Sequence, residues 1–387
     1  MRILTSLYYY RPHFSGLTVY TERLSRSLAA KGHDVTILTS RYDRNLASLE
    51  SLNGVQVRRV NVAMTISKGP IMPTIPFWAV RLIPRHDVVH LHVPQLDAAL
   101  FAMLAKLYRK PVVLTYHCDL NLPSTPVNWA ANQASRFANN ISAMLSNVVV
   151  TNTRDYAEES PFLRQFLGKL EVIPPPIEIS RPDARVVSSL KSRWNIQDNQ
   201  PIIGMAARLA TEKGAEILAR ALPHVLAQRP NARVIYAGQY QDVIGEEAYA
   251  HRLRPLIDEL GDHWLFVGAL SQVELAAFFS LCDLTVLPSL NSTESFGMVQ
   301  VESIFLGTPV IASDLPGIRQ PVMQTGMWRV FSPGDSRALA DGILHILSSP
   351  ADFHCDNEEL VQRFGSAHVA GEYERLYQDL LDTGQGS

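Results

Sequence analysis

The sequence predicts an α/β protein built from two Rossmann-like domains in tandem, facing each other across a cleft. Short apolar runs alternate with longer amphipathic ones from the first residue, the sign of βα units and parallel sheets. The alternation breaks once, at Pro174-Pro175-Pro176, and then resumes. At 387 residues the chain exceeds a single hydrophobic core, so two domains are the natural division.

In the first half, strand Arg2 to Ser6 leads through a loop into a helix whose Tyr20, Leu24 and Leu28 recur four apart on one face. Lys31-Gly32 closes that helix, and Asp34 to Thr39 is the next strand. Further strands fall at Val55 to Val60, Asp87 to Leu91, Pro111 to Thr115, Asn147 to Thr151 and Leu170 to Ile173, with helices near Asp97 to Tyr108 and Asn128 to Leu145. Three successive prolines fix φ and lack donors, so neither helix nor central strand continues through them. The linker is placed at Ile177 to Asp183.

The second half repeats the scheme. Strands are expected at Ile202 to Met205, Arg233 to Ala237, Trp264 to Val267, Asp283 to Pro288, Val310-Ile311 and Trp328 to Phe331. Helices are expected at Ala215 to Leu226, Glu246 to Leu260, Gln272 to Leu281, from near Gly297, and Ser336 to Leu347. The tail carries Val369, Tyr373, Leu376, Tyr377 and Leu380 at helical spacing and is read as a helix returning to the first domain. The domains are thus 1–180, 181–365 and a C-terminal helix at 366–387.

With 19% charged residues and a net charge of -2, the chain lacks the basic excess of a nucleic-acid binder. Cys118, Cys282 and Cys355 have no paired spacing, which argues against a disulfide framework and for a cytoplasmic address. The N-terminus reads as no secretory signal and no apolar run is long enough to span a bilayer, so membrane contact is expected only from the inner face.

The stretch from Ser289 to Glu302 joins an apolar strand to a helix, the place where open α/β sheets bind ligands. The first N–H groups of such a helix lack intrahelical partners and sit at its positive end, suiting a phosphate. Glu294 lies ahead of the helix and Glu302 inside it, able to accept from vicinal hydroxyls. A phosphate between two such acids is what a nucleotide sugar needs.

Glu-Ser-Phe-Gly-Met-Val-Gln-Val-Glu at 294–302, followed by Phe305 to Ala312 and Asp314-Leu315-Pro316-Gly317, resembles the paired-glutamate signature of retaining GT-B-fold glycosyltransferases, the sucrose-synthase-like and mannosyltransferase-like family. Ala207 to Gly214 is similar to the family's phosphate-binding loop, and Phe266 to Leu270 to its base-binding strand end. Two segments depart from the pattern: Ser15 precedes Gly16 where a first glycine is common, and prolines replace the usual linker turn at Val172 to Ile177. The resemblance implies an enzyme moving a hexose from a UDP- or GDP-linked sugar to an acceptor hydroxyl on a lipid, glycan or small molecule, with retention.

It assigns Glu302 to the ribose and Glu294 to the transferred sugar. Ser295, Phe296, Gly297, Met298 and Val299 would give backbone N–H groups to the diphosphate, Leu270 would contact the base, and Ser15 and Gly16 stand in the N-terminal loop. His117 takes the place of a histidine near the reacting carbon, and attack from the leaving-group face, assisted by the leaving phosphate, is implied. Arg208 and Lys213 are the groups able to hold the growing diphosphate charge. Asp-x-Asp, the usual divalent-ion pair, is missing from the sequence, so neither metal nor other cofactor is expected.

Other features point elsewhere with less force. His90 and His92 share a strand face but lack two further zinc ligands in sequence, and Cys118 beside His117 falls on the opposite face of the strand. Lys68 to Arg85 mixes apolar residues with cations, fitting a lipid acceptor or membrane interface as well as a helix packed on its own sheet. A GT-B epimerase or phosphorylase is the alternative reaction. A nicotinamide oxidoreductase lacks a G-x-G-x-x-G after any strand, and a non-catalytic nucleotide-binding module stays open.

Overall fold

The computed structural model describes residues 1–66, 69–119, 126–178, 181–243, 245–326, 328–350, 353 and 357–384. The chain forms two units, 1–177 with 363–387, and 178–362.

The first unit runs β1 (Arg2–Ser6), α1 (Gly16–Ala30), β2 (Asp34–Arg41), β3 (Leu49–Leu52), β4 (Val55–Asn61), β5 (Met64–Ile66), β6 (Gly69–Ile71), α2 (Ile75–Leu82), β7 (Val88–Val93), α3 (Ala98–Leu107), β8 (Val112–Tyr116), α4 (Pro126–Leu145), β9 (Val148–Thr151), α5 (Arg154–Glu159) and β10 (Leu170–Val172). Its main sheet has the order β10-β9-β8-β7-β1-β2-β4-β3, parallel except for β3, which hairpins back on β4. β7 and β8 are buried along their whole length, as parallel strands covered on both faces must be. Successive β1 residues feed opposite cores, Leu4 on the α2, α3 and α4 side and Ile3 on the α1 side.

The second unit runs α6 (Ala184–Arg193), β11 (Ile202–Ala206), α7 (Ala215–Leu226), β12 (Arg233–Ala237), α8 (Glu247–Asp258), β13 (Trp264–Gly268), α9 (Gln272–Leu281), β14 (Leu284–Leu287), α10 (Met298–Phe305), β15 (Val310–Ser313), α11 (Arg319–Thr325), β16 (Trp328–Phe331) and α12 (Ser336–Ser348). All six strands are parallel, in the order β13-β12-β11-β14-β15-β16. After α13 (Asn357–Phe364), α14 (Ser366–Gly384) closes the chain.

Several expectations need correction. β3, β5 and β6 escape the reading because they are short hairpin strands with little buried apolar surface. Ile177 is no linker residue: it is buried, its N–H donates to Phe364 O at 2.8 Å, and its carbonyl accepts from Ser366 N at 3.1 Å. The proline run is therefore held on the first unit, and the return begins at Arg363, earlier than the expected 366. The Lys68 to Arg85 segment is divided. Lys68 lies outside the described residues, while α2 buries Ile75 and Ala79 and leaves Phe77 and Val80 exposed. Trp78 lies beneath the Arg58 guanidinium, 4.1 Å from the ring centroid. Among the described residues no helix is long and apolar enough to cross a membrane.

α14 packs along α1, with Val369, Ala370, Tyr373 and Tyr377 wholly buried beneath the β1–β2–β7 side of the sheet. Its tyrosines also meet polar groups there. Tyr377 OH pairs with His90 Nδ1 at 2.7 Å, and Tyr373 OH with Thr115 Oγ1 at 2.9 Å and Tyr20 OH at 2.7 Å. Tyr377→Phe removes one partner and strands a buried ring nitrogen, so chemical denaturation should show a loss of about 1–3 kcal/mol. No change in midpoint would mean that α14 is held by apolar contact alone.

Candidate active site

The order of the second sheet decides where its site lies. The chain builds outward from β11 through β12 to β13, then returns to lay β14 on the other side of β11. The loops leaving β11 and β14 therefore diverge from neighbouring strands at a topological switch point, where an open sheet leaves a crevice at its carboxyl edge. These loops are the Arg208/Lys213 segment and the Ser289-to-Gly297 segment.

Glycine sets how close they come. Gly214 has φ +69°, and a Cβ there would stand 1.9 Å from Pro288 O. Leu290 N donates to Glu212 O at 2.9 Å, tying the loops by backbone. Thr211 is fixed from another side, its N–H and hydroxyl donating to Glu246 Oε2 at 3.0 and 2.8 Å. The β11 loop is braced from below as well, where Gly238 passes so close to Ala207 that a Cβ would meet its carbonyl oxygen at 1.9 Å.

Between the loops, Lys213 Nζ pairs with Glu294 Oε2, each side chain about four-fifths buried. Glu294 Oε1 accepts the Gly297 N–H at 3.0 Å, so this one carboxylate neutralises the lysine and holds the backbone of the residue that precedes α10. Arg208 pairs with Glu212 and is more exposed. Both cations singled out in the sequence are thus held by acids. Gly297 has φ +76°, and a Cβ there would press on Leu287 Cδ2 at 2.4 Å and Gln300 Nε2 at 2.5 Å. The fold itself requires this glycine, a stronger reason than ligand approach. Met298 and Val299 open α10 half-buried, Ser295 and Phe296 are buried before it, and Glu302 is half-buried within it. Leu270 follows β13 and is partly buried against the core cluster that includes Ala237, Ala277 and Phe278.

Gln300 was not expected to matter. It is buried, and its Nε2 donates to Phe296 O at 2.7 Å and Ile318 O at 3.1 Å, locking α10 to the loop before it. Glu212, inside the phosphate-loop motif, was also passed over as a site residue although an acid four residues after Arg208 is a plain pairing signal.

In the first unit, Ser15 caps α1, its Oγ accepting from Thr18 N at 3.2 Å, and Gly16 is exposed as the first helical residue. β8 ends at Tyr116, so His117 and Cys118 lie just beyond the strand and the opposite-face argument for Cys118 does not apply. His117 N donates to Val93 O at 3.1 Å, its Nε2 is 2.8 Å from His92 Nδ1, and the Tyr20 ring meets it edge-on at 4.8 Å. His90 is engaged separately, with Nε2 2.7 Å from Thr115 Oγ1. Among the described residues no group of three or more His, Cys, Asp or Glu is arranged to hold a metal ion. His92 and Tyr20 are the partners that sequence reasoning missed, although strand and helix periodicity had already put each on the relevant face.

Burial pushes His117 and His90 down to about 3 and His92 well below its ordinary value, so all three are neutral at neutral pH. Neutrality fixes a tautomer. Among the described residues His92 Nε2 is buried without a hydrogen-bond partner. A buried orphan N–H costs more than a buried orphan lone pair, so the His92 proton belongs on Nδ1, donating to His117 Nε2. His117 then carries its own proton on Nδ1, as a hydrogen-bond donor. Nitrogen-15 spectra of histidine-labelled protein should place His117 Nδ1 in the protonated range and Nε2 in the unprotonated range, with the pattern lost in His92→Phe. The opposite pattern in the wild type would reverse the assignment.

Comparison with known proteins accords with this geometry. Residues 15–176 match the family model described as Glycosyl transferase 4-like domain, and residues 187–367 the one described as Glycosyl transferases group 1. A glycogen synthase of Mycobacterium tuberculosis is 28% identical, over 91% of this chain and 87% of its own length. A D-inositol 3-phosphate glycosyltransferase of Nocardioides is 25% identical, over 87% and 78%. In fold, the chain is similar to Anabaena HepE in complex with UDP, with TM-score 0.78, 19% identity and coverage of 98% of this chain and 100% of that one. Sucrose-phosphate synthase from Thermosynechococcus elongatus gives 0.77 at 22% identity, covering 99% of each chain.

Proposed function

The chain belongs to the group 1 glycosyltransferases of GT-B fold, and from that premise we propose that it transfers a hexose from a nucleotide sugar to an acceptor hydroxyl with retention of anomeric configuration. The observation that carries the reading is the meeting of Lys213, Glu294 and the start of α10 at the switch point of the second sheet. One cation, one carboxylate and one helix start within a single ion-pair contact suit a ligand that is anionic at one end and hydroxylated at the other. The solved neighbours include Anabaena HepE bound to UDP-glucose, a ligand of that description.

In the proposed reaction the bond between the anomeric carbon and the diphosphate oxygen breaks. The acceptor oxygen bonds to the same carbon from the same side, and its proton passes to the departing diphosphate. Lys213 exchanges part of its contact with Glu294 for the diphosphate as charge develops, and Arg208 does the same from Glu212. Glu294, relieved of the lysine, accepts from sugar hydroxyls while keeping the Gly297 N–H. Ser295 to Val299 face the diphosphate with their backbone, Glu302 takes the ribose, and Leu270 lies at the base. By the family resemblance, the roles proposed in the first unit are the acceptor for Ser15 and Gly16 and the reacting carbon for His117, as a neutral Nδ1–H donor. Two cations and a helix start supply the charge a metal would otherwise supply, so neither metal nor other cofactor is needed.

Incubating the chain with UDP-, GDP-, ADP- and TDP-sugars, with mass detection of transfer or hydrolysis, tests the reading. Turnover of at least one donor is expected, and failure with every donor would overturn it. Lys213→Ala and Arg208→Ala should each lower turnover roughly 100- to 1000-fold, the scale of one preorganised transition-state donor. A variant at wild-type rate removes that residue from the site. Activity should survive EDTA, whereas loss in chelator restored by magnesium or manganese would show that the cations do not suffice.

A further inference from the structure

On the first unit, α2, α3 and α4 form the helical layer that covers the Leu4, Leu91 and Leu114 side of the sheet. Their outward surface is unlike that of a solvated helix. Leu107 is 72% exposed, Phe137 70%, Met144 69%, Trp129 65% and Phe77 61%. Met103 and Val80 add to the same layer. Single exposed apolar residues are ordinary, whereas a run of them on adjacent helices marks a binding face.

Topology makes the patch continuous. α3 links β7 to β8 and α4 links β8 to β9, all parallel, so the two helices run side by side in the same direction. Leu107 and Met144 sit at their matching C-terminal ends, with Met103 and Phe137 further back along each. Lys169 closes the end of α4, its Nζ donating to Met144 O at 3.0 Å and Ser146 O at 2.7 Å, and burial, followed by the Lys106 ammonium, holds its pKa down.

The charge on this layer has one sign. α2, α3 and α4 contain no Asp or Glu within their spans, yet Arg81, Arg85, Lys106, Arg109 and Arg136 stand exposed on or beside them. A second copy of the chain docking face to face would set these cations against themselves. An anionic surface with an apolar interior suits both components, taking the cations at its headgroups and Phe137, Leu107 and Met144 below them.

We propose that the α2–α3–α4 face docks on a membrane surface of anionic lipid. This rests on the exposed residues and their charge, independently of the reaction assigned to the second unit.

Co-sedimentation of the full chain with vesicles tests it, using phosphatidylcholine alone and phosphatidylcholine mixed with phosphatidylglycerol. Binding to the mixed vesicles, weakened by salt, is expected, with little binding to the neutral ones. Leu107→Asp with Phe137→Asp should lower the bound fraction at least about tenfold without changing the far-ultraviolet circular dichroism or the cooperativity of unfolding, which shows that the first unit stays folded. Should it fail to fold, Lys106→Glu with Arg136→Glu provides the same comparison. Wild-type protein remaining in the supernatant with both vesicles would overturn the proposal, as would binding indifferent to these variants. A dimer in sedimentation velocity that the same variants split, without vesicle binding, would give the face to a second copy instead.

Discussion

The ion pair between Lys213 and Glu294 is the contact on which the second unit's candidate site depends, because it joins two loops that leave adjacent strands and then part. Nothing in a parallel sheet by itself holds such loops together. Here Gly214 allows backbone contact with Pro288, Leu290 bonds across to Glu212, and the salt bridge closes the gap above them. The pair is mostly desolvated, so its partners are costly to separate and profitable to re-pair with a ligand of matching charge. The same carboxylate accepts the Gly297 N–H, which means that any shift of Glu294 is felt at the start of α10. Gln300 limits that shift by anchoring the helix to Phe296 and Ile318.

The first unit meets a different constraint. Its sheet carries His90, His92 and Thr115 on a face where neighbouring strands present Ile3, Val35 and Ile37 to the core. Polar groups there need partners, and the chain brings them from far away in sequence: Tyr20 on α1, and Tyr373 and Tyr377 on α14. The C-terminal helix thereby finishes the polar interior of a domain that the chain left at Ile177. Among the described residues His92 stays short of one partner, and that shortage favours the His117 proton on Nδ1.

Much of this was legible beforehand. Alternating apolar and amphipathic runs located nearly every central strand, since a buried parallel strand is a short apolar block and its crossover helix has a regular stripe. The Glu294-to-Glu302 stretch stood out because two acids frame a helix start directly after an apolar strand, where open α/β sheets bind ligands. What the sequence withheld were pairings across distance. That Lys213 would meet Glu294 follows from β14 lying beside β11, an order no local pattern encodes. The same holds for Tyr377 reaching His90. The strand β3 and the hairpin β5–β6 lack periodicity because they bury little. Gly297 was visible as a glycine, but its reason, a left-handed turn pressed against Leu287 and Gln300, appears only in three dimensions.

Whether Lys213 leaves Glu294 for a diphosphate is tested most directly by a crystal structure of the chain with a bound nucleoside diphosphate. It should show phosphate oxygens on Lys213 Nζ and on the backbone N–H groups about the start of α10, with Glu294 still accepting from Gly297. A diphosphate bound away from this switch point, with the Lys213–Glu294 pair intact, would contradict that exchange.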